Sequence, residues 1–305
     1  MGQKGEHLTE MAELADAGAA GFTDDGLPLR AAGVMRQALQ YQRLAGRTIA
    51  LHEEDPTLSG TGVMHEGDVS ALLGVAGIPS VSESVMVARD CDLAAFEDGR
   101  IHVQHVSARR TVEIIERAKA AGIKVTAEAT PHHLLLTEEA VRTLDSHRKM
   151  NPPLRSEDDR QALINGVRSG TLDTIATDHA PHSREEKEQP FEDAPMGVTG
   201  LETAFAAVYT ELVLPGVLEL GTLVERMTAG GVPFGLHLPT LAEGQPADVC
   251  LADLAAEWEV GEAGYESRSA NSAFAGRRLT GRVRMTVAGG AVAFRERSFA
   301  IGAVS

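Results

Sequence analysis

Five short apolar, β-branched runs occur along this chain, and each ends in a polar or charged cluster before a helix-like segment begins. They are GAAGFTDD at 18–25, RTIALHEED at 47–55, RIHVQHVS at 100–107, IKVTAEATPHH at 123–133 and LDTIATDHAPH at 172–182. Helical patterns lie between them, as in LPLRAAGVMRQALQYQRLAG at 27–46 and ARRTVEIIERAKAAG at 108–122. In the second, Val112, Ile114, Ile115 and Ala118 recur with a period near 3.6, and Gly122 stands where a C-cap is expected. Strand–helix alternation of this kind predicts an α/β fold with a parallel sheet. From about residue 240 the rhythm changes. GQPADVCLADL, GRRLTGRVRMTVAGGAVAF and the tail ERSFAIGAV read as short strands with Gly turns, a small β-rich appendage over 241–305 following an α/β part over 1–240. SREEKEQPFEDAPMG at 183–197 reads as a loop, long enough for a lid role to be worth testing.

Polar residues sit where such a fold puts chemistry. Parallel strands in a barrel open their C-termini on one face, where active sites are built. Here the apolar runs end in Asp24 or Asp25, then His52, His105 and Asp178. Two carboxylates and two imidazoles from four strands are thereby aimed at one space, a donor set that suits zinc or a similar divalent ion. A single His at a strand end is ordinarily a hydrogen-bonded structural residue; four candidate ligands at the same strand position favour a metal site. In TDHAPH at 177–182, Asp178 suits both metal binding and proton acceptance, or the plainer role of an Asx turn. His132 and His133 are adjacent, so on a strand at most one faces the site. His65, His147 and His237 have no motif context, and Glu53, Glu54 and Asp55 read as a solvated charge run. Asn151, before two prolines, is free either to reach a polar ligand or to cap a turn.

Several function classes are disfavoured. Lys and Arg number 28 against 44 Asp and Glu, a formal charge of −16, and no basic stripe stands out, so no nucleic-acid partner is expected. Two distant cysteines, Cys91 and Cys250, exclude a disulfide scaffold and a Cys-based zinc site. No apolar stretch is long enough for a membrane span and the start, MGQKGEHLTEM, has no signal-peptide character; the expected compartment is the cytoplasm.

Read together, these motifs resemble the amidohydrolase superfamily, and within it the long (type I) bacterial dihydroorotases. The resemblance is carried by FTDDG at 22–26, LHEED at 51–55, GVMHEG at 62–67, HVQHVS at 102–107, VTAEATPHHLLLTEE at 125–139, KMNPPLRSEDDR at 149–160, TIATDHAPHSREEKEQPFEDAPMGVTGLET at 174–203 and GRVRMTVAGG at 281–290. It implies a metal-dependent hydrolase TIM barrel of the (β/α)8 type. It also implies two zinc ions per site, a small-molecule substrate and the interconversion of dihydroorotate and N-carbamoyl-L-aspartate in pyrimidine synthesis. Asp25 matches the carboxylate shared by the two metals, with its spacing to His52 favouring it over Asp24. His52 and His105 match the imidazoles of the second metal, and Asp178 matches a ligand of the first that also carries the proton. Asn151, His182 and the Met196–Gly197 backbone match substrate contacts. The partner implied is a second copy or an aspartate transcarbamoylase.

One departure stands out. The family's first barrel strand carries a His-x-His pair and a substrate-binding Arg, and no such pair precedes Asp25. The match begins at what would be strand four. Only strands four to eight are expected, the first-metal site lacks its two imidazoles, and weak or no activity follows. A late-called start, a gene fragment and a noncatalytic scaffold subunit are the competing explanations, the first preferred because every downstream motif is intact. Allantoinase and dihydropyrimidinase are same-class alternatives; they usually place a carboxylated lysine where Asp25 lies, and no lysine occurs between Lys4 and Lys119.

Overall fold

A computed structural model of the chain describes residues 4–296 and Phe299. The strands are β1 (Gly21–Thr23), β2 (Thr48–Leu51), β3 (Met64–His65), β4 (Gly77–Ile78), β5 (Arg100–Val103), β6 (Lys124–Ala129), β7 (Thr174–Ile175), β8 (Val249–Glu259), β9 (Arg278–Ala288) and β10 (Ala291–Arg295). Five of them form one parallel sheet in the order β1-β2-β5-β6-β7. Phe22 stands opposite Ile49, Ile49 opposite Ile101, and Ile101 opposite Val125. Parallel neighbours need crossovers, and the helices Ala32–Ala45, Val81–Glu97, Arg109–Ala120 and Glu157–Ser169 lie in those connections. The result is a partial (β/α) barrel, with β8, β9 and β10 as a separate antiparallel sheet. β9 turns into β10 through Gly289 and Gly290, whose φ angles of 56° and 80° fit a tight hairpin that other residues enter at a cost.

Local sequence explains the elements. β2, TIAL, is buried at every residue, as expected of a strand covered on both faces. Helix Ala32–Ala45 buries Met35, Ala38, Leu39, Gln42 and Ala45, one stripe at helical spacing, and ends at left-handed Gly46. Helix Arg109–Ala120 buries Thr111, Val112, Ile115 and Ala118, with Ala121 at its C-cap and Gly122 following at φ 80°. Helix Glu157–Ser169 starts from a capping box in which Ser156 Oγ accepts the Asp159 N–H.

The sheet and these helices share one core, in which Ile49, Leu51, Ile101, Val103 and Val125 meet Leu39, Val87, Ile115 and Leu163. Ile101 lies on a strand paired on both sides and is 1% exposed. Ile101→Ala is expected to cost about 2–5 kcal/mol, read as a lower denaturation midpoint in urea. A second core joins Met64, Leu136, Met150, Phe191 and Val198 to Val260, Ala273 and Phe274. Most of these come from segments that follow β2, β6 and β7, so this core builds the ground around the strands' C-terminal ends.

The tail ERSFAIGAV lies largely outside the described residues. His132 and His133 do not continue β6. Thr130 accepts the His133 N–H as an N-cap and Pro131 opens a short helix, Pro131–Leu135, with both imidazoles buried. Within the segment 183–197, residues Arg184–Lys187 form a helical turn.

Candidate metal centre

Three strand ends meet. Asp25 lies two residues beyond β1, His52 one beyond β2, and His105 two beyond β5. The Asp25 N–H donates to Thr23 Oγ1 at 3.0 Å, fixing the turn. Asp24 is already engaged: its Oδ1 accepts the His52 N–H at 2.9 Å and its Oδ2 the Leu29 N–H at 2.8 Å. Asp24 therefore braces two backbone segments while Asp25 faces the imidazoles. His52 Nδ1 lies 3.0 Å from His105 Nε2 and 3.5 Å from Asp25 Oδ1, and His105 Nε2 lies 3.9 Å from the same oxygen. The three donors fall within 4.8 Å of one another. Tetrahedral zinc with bonds of about 2.0–2.1 Å sets its donors roughly 3.3 Å apart, so these separations fit a divalent ion. His105 holds a left-handed backbone, φ 31°, and so does Asp178, φ 45°. Both conformations are strained for residues other than Gly, and such strain clusters at functional positions.

A carboxylate stands behind His52. Glu54 Oε2 lies 3.3 Å from His52 Nε2 and accepts the Asn151 Nδ2–H at 2.6 Å. Donation of Nε2–H to Glu54 leaves Nδ1 to face Asp25 and His105, the outer support typical of metal-binding imidazoles. Glu54→Gln is expected to lower divalent-metal affinity about 10- to 100-fold by competition with a chromophoric chelator. The far nitrogen of His105, Nδ1, is buried without a hydrogen-bond partner among the described residues.

The electrostatics show what an ion must displace. Hydrogen bonds from His105 and His52 hold the Asp25 carboxyl well below the usual carboxylate range, against partial burial. Burial opposes charge on His52, but the Asp25 and Glu54 carboxylates outweigh it and raise the imidazole to about 9. Burial likewise opposes ionisation of Glu54, yet hydrogen bonds from His52, Ser59 and Asn151 hold it at about 2. At neutral pH the metal-free site thus keeps a proton on His52, and a cation must expel it. Apparent metal affinity is expected to rise about tenfold per pH unit up to about 9, with one proton released per ion in weakly buffered calorimetry.

Asp178 belongs to the same neighbourhood. Burial raises its carboxyl above the usual value; His105 and His52 pull it down, while Asp25 and Glu128 push it up. It is not part of the three-donor cluster. Asn151 touches the centre through Glu54, and its own Oδ1 is buried and unpartnered among the described residues. His182, Met196 and Gly197 form a second group. The His182 Nε2–H donates to the Met196 carbonyl at 2.9 Å. Gly197 has φ 124°, and a Cβ there would fall 2.6 Å from Ala180 Cβ and 3.0 Å from His182 Nε2. Glycine is required on both counts.

Some participants carry little sequence signal. Glu53 and Glu54 are not the solvated run their composition suggests. Glu53 is buried, and burial raises its carboxyl with the Asp90 and Asp24 charges adding to the effect; Asp55 caps the turn Pro56–Ser59. The two-residue step from His52 to Glu54 at a strand end is the signal that separates Glu54 from its neighbours. Asn271 joins the two loops: its Nδ2 donates to the Ala180 and Gly197 carbonyls at 3.0 and 3.2 Å, and its Oδ1 accepts the His182 N–H. His179 Nδ1 accepts the Gly200 and Leu201 N–H groups. His65 is buried and bonded by Arg155, His147 pairs with Asp145, and His237 is exposed.

Known proteins share this arrangement of chain. The family model described as dihydro-orotase-like matches residues 1–113. A dihydroorotase of Pelotomaculum thermopropionicum is 47% identical over 301 residues, 97% of this chain and 70% of that protein. One from Anaeromyxobacter dehalogenans is 48% identical over 298 residues, 97% of this chain and 69% of that protein. Among solved structures, L-hydantoinase (dihydropyrimidinase) from Arthrobacter aurescens superposes with a TM-score of 0.83 at 28% identity, over 93% of this chain and 66% of that one. A dihydropyrimidinase from Brevibacillus agri shares the fold, with a TM-score of 0.73 at 23% identity over 86% of this chain and 60% of that one. No helix among the described residues is long and apolar enough to cross a membrane. By identity and by the share of both chains aligned, the chain belongs to the dihydroorotase family of the amidohydrolase superfamily.

Proposed function

We propose that this chain carries the divalent-metal half of a dihydroorotase site, in which Asp25, His52 and His105 hold one zinc ion and the substrate is dihydroorotate or its open form, N-carbamoyl-L-aspartate. The convergence of those three donors within 4.8 Å is the observation that carries the reading. When bound, such an ion polarises an amide carbonyl and makes water a stronger nucleophile. The chain's own residues supply the rest. Asp178, half-buried beside the three donors, takes the proton of the attacking water in its carboxylate form and returns it to the ring nitrogen that leaves, which keeps the proton count balanced. Asn151 Oδ1, lacking a partner among the described residues, accepts a ring N–H of the substrate, while its Nδ2 stays on Glu54. His182 and the Met196–Gly197 backbone form the wall against which the substrate carboxylate rests. Among cyclic amides, dihydroorotate is favoured over hydantoins and dihydropyrimidines because an Asp, not a lysine, occupies the shared-ligand position.

The test compares the zinc-loaded chain on dihydroorotate, dihydrouracil and hydantoin. Hydrolysis of dihydroorotate that disappears on chelation supports the reading. Equal rates on all three, or a metal-loaded chain that neither binds nor turns over dihydroorotate, count against it.

A further inference from the structure

Two lysines are buried in a place that needs explaining. Lys149 and Lys187 are each 3% exposed, and neither forms an ion pair among the described residues. Their ammonium groups meet main-chain carbonyls instead. Lys149 Nζ donates to Phe191 at 2.6 Å, Glu192 at 2.9 Å and Ala194 at 2.6 Å. Lys187 Nζ donates to Pro195 at 2.9 Å, Gly197 at 3.0 Å and Lys149 at 3.5 Å. The Lys149 carbonyl in turn accepts the Gly197 N–H at 3.0 Å. Burial lowers Lys187 to about 8, with the Lys149 charge adding to the effect and Asp145 opposing it; burial also lowers Lys149. Holding two cations here without a counter-ion is unfavourable, and an apolar side chain of similar length would fill the space at less cost. The return on that cost lies in what the ammonium groups hold.

We propose that Lys149 and Lys187 are positioning residues: together they turn the carbonyls of 191–197 inward and fix the Met196–Gly197 wall and its His182 partner in the attitude that binds substrate. This rests on the function proposed above and deepens it. Carbonyls from a seven-residue stretch otherwise face water, and the stretch then samples many conformations. Five carbonyls of the stretch, drawn onto two ammonium groups, remove that freedom before substrate arrives, which lowers the entropy cost of binding. Segment 191–197 is then a fixed wall and not a lid. Lys149 also lies two residues before Asn151, so one side chain ties the wall to the loop before helix Glu157–Ser169 that presents the other substrate contact.

The experiment uses the full zinc-loaded chain as wild type, Lys149→Met, Lys187→Met and Lys187→Arg. Amide hydrogen exchange and steady-state kinetics on dihydroorotate are measured for each, with zinc content as a control. In the Met variants, amides of 191–197 are expected to exchange at least about tenfold faster while the β2 and β5 amides and the zinc stoichiometry stay unchanged. KM is expected to rise about tenfold with a smaller change in kcat, and Lys187→Arg to recover part of the loss. Unchanged exchange over 191–197 in both Met variants overturns the proposal, as does loosened exchange with unchanged KM. If one Met variant does not fold, the other decides. A wild-type chain inactive on dihydroorotate would count against the functional reading instead; local exchange alone then decides whether the lysines clamp the wall.

Discussion

His105→Ala is expected to lower zinc affinity by about 10³-fold, equivalent to about 4 kcal/mol at 1.4 kcal/mol per tenfold. The expectation follows from the size of the donor set. Among the described residues three ligand atoms converge, so each bond lost is a third of that set, and the remaining pair, Asp25 Oδ1 and His52 Nδ1, stand 3.5 Å apart. The vacated imidazole also leaves an empty volume near the Glu128 carboxylate, which still accepts the backbone N–H of residue 105, 3.3 Å away in the wild type. Competition with a chelator reads the affinity directly. A variant that binds zinc within about tenfold of wild type would place the ion elsewhere. Asp24→Asn makes the contrast: its oxygens serve backbone N–H groups, so it is expected to weaken folding more than metal binding.

Asp178→Asn is expected to lower turnover about 10²- to 10⁴-fold, the usual contribution of a positioned proton carrier, while zinc content stays at the wild-type value. The separation of the two readouts matters. Asp178 lies outside the three-donor cluster but feels the charges of all three members, which is the placement of a proton carrier beside an ion. The sign of the pH dependence follows from its environment. Burial raises the carboxyl above its ordinary value, so the base form is lost, and turnover falls, as pH drops through that raised value. The acid limb of the wild-type profile is therefore expected above the range of an exposed Asp, and the Asn variant is expected to lack it. Loss of zinc in the variant would instead make Asp178 a ligand.

Much of this site was legible because parallel strands make position along the chain equivalent to position in space. Runs ending in Asp25, His52 and His105 had to end on one edge, whatever the detailed packing. Where local pattern and long-range partner disagree, sequence was silent. Asp24 and Asp25 are neighbours with the same chemistry, and only the N–H groups of Leu29 and His52 distinguish them. Glu53 and Glu54 sit in a run whose composition predicts solvent, yet one is buried on Asp90 and the other supports His52. Lys149 and Lys187 leave no trace, because a lysine paired with backbone carbonyls has no partner residue to point to it. The turn at Thr130-Pro131 is a different matter: an N-cap Thr followed by Pro is a helix start, and the strand reading of His132 and His133 overrode it.

If Asp25, His52 and His105 together hold a single divalent ion, the coordination shell of that ion reports it. X-ray absorption on the zinc-loaded chain, with metal content measured on the same sample, tests it most directly. One tightly bound zinc per chain, with two imidazoles and only nitrogen or oxygen donors in its shell, is the predicted result. A chain that retains no zinc, or a shell with sulfur or without paired imidazoles, would contradict it.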